Sequence, residues 1–236
     1  MLLLALTDSS ALVRANALNK FQIFPLEQRA NVGLEHLKDT TLVVRIAAAQ
    51  LMIELDLGQL PPDERGYAIK AREELEVMLR ANADFPLGRL QIGDYHFRQD
   101  KIQMAIKEYE MALEMDSLLT LTYSNLATAY SINGDNIKAL ETLSQLLILE
   151  PEFARGYYLR GLLHYEIGDS EKAINDLEKS IFYDSRNFRA YYNLANLYLT
   201  AGNLSKAERT IKAGLGLQPD SEEGLYLLKV IQLKKP

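Results

Sequence analysis

Few residues in this 236-residue chain have the type and spacing for chemistry. With no cysteine, disulfides, thiolate zinc sites, iron–sulfur clusters, covalent haem and cysteine nucleophiles are excluded for the chain as given. The three histidines, His36, His96 and His164, are far apart in sequence, and His96 and His164 are 68 residues apart. Glu73-Glu74 and Glu222-Glu223 fall at helix starts or on exposed helix faces, where paired carboxylates are usually solvated. Gly214-Leu215-Gly216 has no preceding strand and so is not a dinucleotide loop. Asn203-Leu204-Ser205 fits a glycosylation acceptor, but it lies in an expected turn. No catalytic residue, metal site or cofactor is expected, and the chain reads as a non-enzyme.

The composition points the same way. Against 32 Asp and Glu stand 26 Lys and Arg, a net charge of -6 with a pI near 5.2, which favours neither nucleic acid nor an anionic membrane surface. A 48% apolar content excludes general disorder, and 13 Gly with 7 Pro are too few for an all-β protein. Met1–Leu6 is apolar but lacks the basic start and cleavage pattern of a signal peptide. No stretch approaches the roughly 18 apolar residues of a membrane span. A soluble protein without membrane insertion is expected, in the cytoplasm or a periplasm.

The elements that position these residues repeat every 34 positions. Ala105, Ala139, Ala173 and Ala207 form one column; Gly93, Ala127, Gly161 and Ala195 form another. His96, Tyr130, His164 and Tyr198 run in step with them, which makes His96 and His164 packing residues. Asp100, Gly134, Gly168 and Gly202 mark a turn, and Ser117, Pro151, Ser185 and Pro219 close each unit. The 4 and 3 spacing of Tyr123, Ala127, Tyr130 places them on one helical face, so each unit reads as two packed helices, A and B. Small residues allow close approach, and the glycines supply positive φ between the helices.

Residues 86–221 resemble four tetratricopeptide repeats, in both period and marker positions. The departures are Arg89 at the leading aromatic position, Asp100 at the turn glycine and Arg160 at an apolar position. Upstream, Leu3/Leu34, Asp8/Asp39, Val13/Val44, Arg14/Arg45 and Ala17/Ala48 pair at a spacing of 31 and resemble HEAT-type repeats. In such units the Asp serves the start of the second helix, and the Arg ion-pairs with an Asp of its own or the adjacent repeat. The first of these units reads as truncated, so the chain is expected to be the C-terminal piece of a longer protein.

The expected fold is therefore an all-α helical solenoid, an alpha-alpha superhelix. HEAT-like repeats occupy 1–58, a connecting helix 59–85, four tetratricopeptide repeats 86–221 and a capping helix 222–236. In the capping helix, Leu225, Leu228 and Ile231 are expected to cover the last repeat, leaving Tyr226, Leu227 and Val230 as surplus apolar surface.

The resemblance implies a protein or peptide partner lying along the A helices in a concave groove. Carried onto this chain, the groove is expected to use Gln91, Phe97, Asn125, Arg155, Tyr158, Tyr165, Arg189, Tyr192, Asn193 and Asn196, with Leu90, Asp94, Ser124, Thr128, Leu159 and Leu162 beside them. Tyr158/Tyr192 and Arg155/Arg189 are each offset by 34 and are expected to stack as ladders. Where the family's chaperone-tail clamp has a Lys, this chain has Ser124, Tyr158 and Tyr192, which argues against that ligand. The order of the repeats also resembles the C-terminal region of bacterial multihaem cytochrome c-type proteins, implying an exported redox protein whose haem part lies outside this sequence. A third expectation is self-association, a homodimer through the solenoid ends.

Overall fold

A computed structural model describes residues 1–235, which contain fourteen α-helices and no strand. The chain forms two compact units, Met1–Asp116 and Ser117–Pro236. In each, helices pack mainly on their sequence neighbours, as in a solenoid.

The first unit holds α1 (Leu2–Ala5), α2 (Ala11–Lys20), α3 (Leu26–His36), α4 (Leu42–Leu51), α5 (Pro62–Arg80), α6 (Pro86–Arg98) and α7 (Ile102–Met115). The starts of α2 and α4 are held by aspartates in the turns before them. Asp8 Oδ1 accepts from Ser10 N–H and Asp39 Oδ1 from Thr41 N–H, both at 2.8 Å, just before α2 and α4. Arg14 grips Asp39, just before α4, through Nε and Nη2 at 2.9 and 3.0 Å, and its Nη1 donates to the Asp8 carbonyl. Arg45 repeats the backbone contact, donating to the Asp39 carbonyl, but its carboxylate is Glu74 on α5, at 2.8 and 2.7 Å. Glu74 is thus half-buried and paired, in contrast to the solvated carboxylate expected from the sequence. Its hydrogen bonds with Arg45 hold its pKa below the ordinary value.

The second unit holds α8 (Thr120–Ile132), α9 (Asn136–Leu149), α10 (Ala154–Glu166), α11 (Ser170–Tyr183), α12 (Phe188–Thr200), α13 (Leu204–Leu215) and α14 (Glu222–Leu233). Three 34-residue units and the final helix therefore lie here, and the first such unit, α6–α7, lies in the first body.

The small-residue columns are buried as expected: Ala105, Ala139, Ala173 and Ala207 are all at 0% exposure. Gly134, Gly168 and Gly202 take φ of 86°, 86° and 76°, and Asp100 adopts the same left-handed turn at 59°. Asp100 therefore changes the residue and keeps the turn.

The final helix is capped by Ser221, whose side chain accepts from Gly224 N–H. Its buried face differs from the expected one. Gly224, Leu227 and Ile231 are buried and Leu228 is partly so, whereas Leu225 is exposed. Gly224 sets this rotation, because an added Cβ there would meet Leu215 Cδ2 at 2.9 Å and the Phe188 ring at 3.1 Å. The glycine marks the side of close approach, and Leu227 and Ile231, three and seven residues on, share it.

Candidate protein-interaction surface

Eight of the ten groove residues fall in the second unit: Asn125 on α8, Arg155, Tyr158 and Tyr165 on α10, and Arg189, Tyr192, Asn193 and Asn196 on α12. Gln91 and Phe97 lie on α6 of the first unit, Gln91 exposed and Phe97 half-buried. Within the second unit, α10 and α12 are joined by a hydrogen bond from the Asn193 amide to the Tyr158 hydroxyl at 3.2 Å. Burial raises the Tyr158 pKa, so the phenol stays protonated. One donor of Asn193 is thereby used inside the protein rather than on a ligand.

The expected ladders are not how these side chains pair. Tyr192 places its ring against Phe188, with centroids 6.3 Å apart, and both Tyr158 and Tyr192 lie partly buried on the α11–α14 core. Arg189 is held by Glu223 at 2.8 Å, whereas Arg155 is exposed and makes no ion pair among the described residues. The 34-residue offset aligns backbone positions, but long side chains turn to the nearest complementary group. Leu90 and Ser124 are corrected as well: they are 5% and 0% exposed and belong to the interior. Asp94 accepts from the Tyr109 hydroxyl at 2.7 Å.

A cavity of about 180 Å³ opens between α8 and α10. Leu159, Leu162 and Ile132 form apolar walls, Ala127 and Leu143 lie at depth, and Glu166 stands at the rim. Thr128, Leu159 and Leu162 belong to the expected surface, but Ile132 and Glu166 were missed. Their signal was present in the helical spacing: Ile132 follows Thr128 by four, and Glu166 follows Leu162 by four. Small-molecule sites start at roughly 300 Å³, so this cavity matches a single side chain better than a cofactor.

A dense polar cluster joins α10 and α11. Asp176, 1% exposed, takes Nε and Nη2 of Arg160 at 2.7 and 2.9 Å, and Arg160 also donates to Ser144 Oγ. His164 Nε2 stands 3.8 Å from the same carboxylate, yet burial lowers its pKa. The departure at Arg160 is thus matched by an acid on helix B. The first unit does likewise, with Arg89 on Glu108 at 2.9 Å. Glu108, Thr142, Asp176 and Thr210 form one column, so arginine appears on helix A where that column is acidic.

Two family profiles described as tetratricopeptide repeat match residues 125–181 and 164–231. Hsp70-Hsp90 organizing protein of Triticum aestivum is 28% identical over 104 residues, 44% of this chain. The match spans only 18% of that protein's length. Among solved structures, a MamA protein aligns with a TM-score of 0.59 at 22% identity, over 65% of this chain and 82% of its own. The APC/C hetero-tetramer Cut9-Hcn1 aligns with a TM-score of 0.60 at 15% identity, over 93% of this chain and 41% of that one. These structures speak to the fold alone.

Residues 125–231 thus match tetratricopeptide-repeat profiles, and the fold is an all-α helical solenoid. The matches lend no support to the HEAT-type and multihaem cytochrome resemblances. Among the described residues, no helix is long and apolar enough to cross a membrane.

Proposed function

We propose that this chain is a non-catalytic scaffold that captures a peptide or protein segment on the face formed by α8, α10 and α12. The observation that carries this reading is the side-chain-sized apolar cavity between α8 and α10, on the helix face that the family resemblance assigns to ligands. The same α10 also carries Tyr165, 47% exposed, and the exposed Arg155, which offer contact area and a hydrogen-bonding cation. Tetratricopeptide repeats are protein-interaction scaffolds, and the wheat relative's name, an organiser of Hsp70 and Hsp90, agrees with a protein partner.

The partner's chemistry differs from that of a terminal carboxylate held by lysines. Ser124 is buried, Tyr158 is bonded to Asn193, and Tyr192 rests on Phe188, so none replaces a clamp lysine. The free charge at the cavity rim is Glu166, which favours an apolar side chain next to a cation. Panning a random linear peptide library on the whole chain and on a Leu162→Arg variant tests the proposal. Enriched peptides should carry Leu, Met or Phe beside Lys or Arg and should lose binding to the variant. Equal capture by both proteins would overturn the assignment.

A further inference from the structure

The first unit contains a second, open cleft that the α8–α12 face does not involve. About 640 Å³ in volume, it has an apolar floor of Ile53, Leu75, Met78 and Leu79. Its walls are unusual in composition. Asn and Gln make up 22 of the chain's 236 residues, yet they supply five of the twelve that line this cleft: Asn19, Gln22, Gln50, Asn82 and Gln91. Gln22 Oε1 accepts from Arg98 Nη2 at 3.3 Å, whereas the other four carboxamides make no side-chain hydrogen bond among the described residues.

The amides are also placed regularly. Asn19 and Gln50 are the penultimate residues of α2 and α4, 31 positions apart, the same offset that relates Arg14 to Arg45. Asn82 follows the end of α5, and Gln91 stands on α6. The charged groups at the edge are already engaged. Arg98 is held by Glu54 at 2.8 and 3.2 Å and by the Gln50 carbonyl, and Asp94 accepts from the Tyr109 hydroxyl.

A neutral wall of this kind selects its ligand. An anion or cation finds no free countercharge, and an apolar surface would leave carboxamides covered and unpaired, at a cost of about 1–3 kcal/mol each. A carboxamide presents an acceptor and a donor side by side, the complement of the C=O and N–H of a main-chain peptide group. In an extended segment the side chains alternate, so one set meets the apolar floor while the main chain meets the walls. We infer that this cleft binds an extended peptide segment through its main chain, as a second site separate from the α8–α10 cavity.

The test uses the whole chain, immobilised and panned with a random linear peptide library. Selected peptides are measured against Gln50→Leu/Asn82→Leu, against Asn19→Leu/Gln91→Leu, and against Leu162→Arg, with each variant's fold checked by its thermal melt. A class of peptides should lose about tenfold or more in affinity with either carboxamide pair and remain unaffected by Leu162→Arg. Within that class, N-methylation of single main-chain nitrogens should weaken binding about tenfold, while most alanine substitutions should be tolerated. The proposal is overturned if no peptide depends on the carboxamides, or if those that do ignore N-methylation and fail on alanine substitution. Peptides that depend on Leu162 alone would overturn it too, and would leave the second-unit reading intact.

Discussion

Arg14 and Asp39 are locked by two parallel hydrogen bonds of 2.9 and 3.0 Å, and the same Asp39 carboxylate accepts the Thr41 N–H that starts α4. One carboxylate therefore holds the turn that leads into α4 and ties it to Arg14 on α2. Both side chains are largely shielded, at 15% and 12% exposure. Asp39→Asn removes the charge and part of the fork, and is expected to cost about 1–3 kcal/mol, read from urea unfolding. Asp8 holds the turn before α2 without gripping an arginine side chain, so Asp8→Asn should cost distinctly less.

Stability should fall on acidification in two windows. Burial lowers the pKa of His96 and His164, so the folded state binds fewer protons than an unfolded chain with an ordinary histidine value of about 6.5. Their contribution is present above that value and is lost as pH drops through it towards the folded pKa. For Asp39, burial pulls the pKa up, but the Thr41 N–H and Arg14 outweigh it and leave it lowered. That contribution is full above the unfolded carboxylate value of about 3.9 and disappears as pH falls through the folded one. Melting curves from pH 8 to 3 should show both losses, and His96→Tyr/His164→Tyr should remove the first.

The Arg160–Asp176 pair makes a sharper case. Breaking it by Asp176→Thr alone strands a half-buried guanidinium and should cost about 3–5 kcal/mol. The neighbouring repeats already hold an alternative at these two positions, Leu126 with Thr142 and Leu194 with Thr210. The double change Arg160→Leu/Asp176→Thr should therefore recover most of the loss. Unfolding of the single and double variants measures the coupling, and additive losses would contradict the pairing.

Gly93 and Tyr109 form another matched pair. A Cβ at 93 would stand 2.4 Å from the Tyr109 ring, whereas one at Gly161 would meet Leu177 at 3.1 Å. Gly93→Ala should cost about 1–3 kcal/mol through overpacking, and Gly161→Ala less. Adding Tyr109→Leu to Gly93→Ala copies the Ala127/Leu143 combination of the next repeat and should relieve the clash.

If the α8–α10 cavity takes a peptide side chain as proposed, Glu166 at its rim sets the charge preference. Glu166→Lys should weaken basic apolar peptides about tenfold and favour acidic ones, with the difference shrinking as salt is raised. Fluorescence anisotropy with one peptide of each charge measures the reversal.

Periodicity alone determined much of this protein. Ala105, Ala139, Ala173 and Ala207 recur because two helices can approach only over a small residue, and Gly134, Gly168 and Gly202 recur because the turn demands positive φ. Constraints of this kind act on backbone positions, so they can be read from sequence without knowing any neighbour.

Other outcomes were decided only in three dimensions. Arg14 and Arg45 occupy equivalent positions, but one takes Asp39 and the other Glu74, because α5 rather than another repeat packs on α4. Tyr158 and Tyr192 share a column, yet one meets Asn193 and the other Phe188. The carboxamide cleft combines residues from Asn19 to Arg98 that no single period links. Side-chain partners depend on which long, flexible groups come within reach, and that is a property of packing, whereas a helix period records only which face is turned inward.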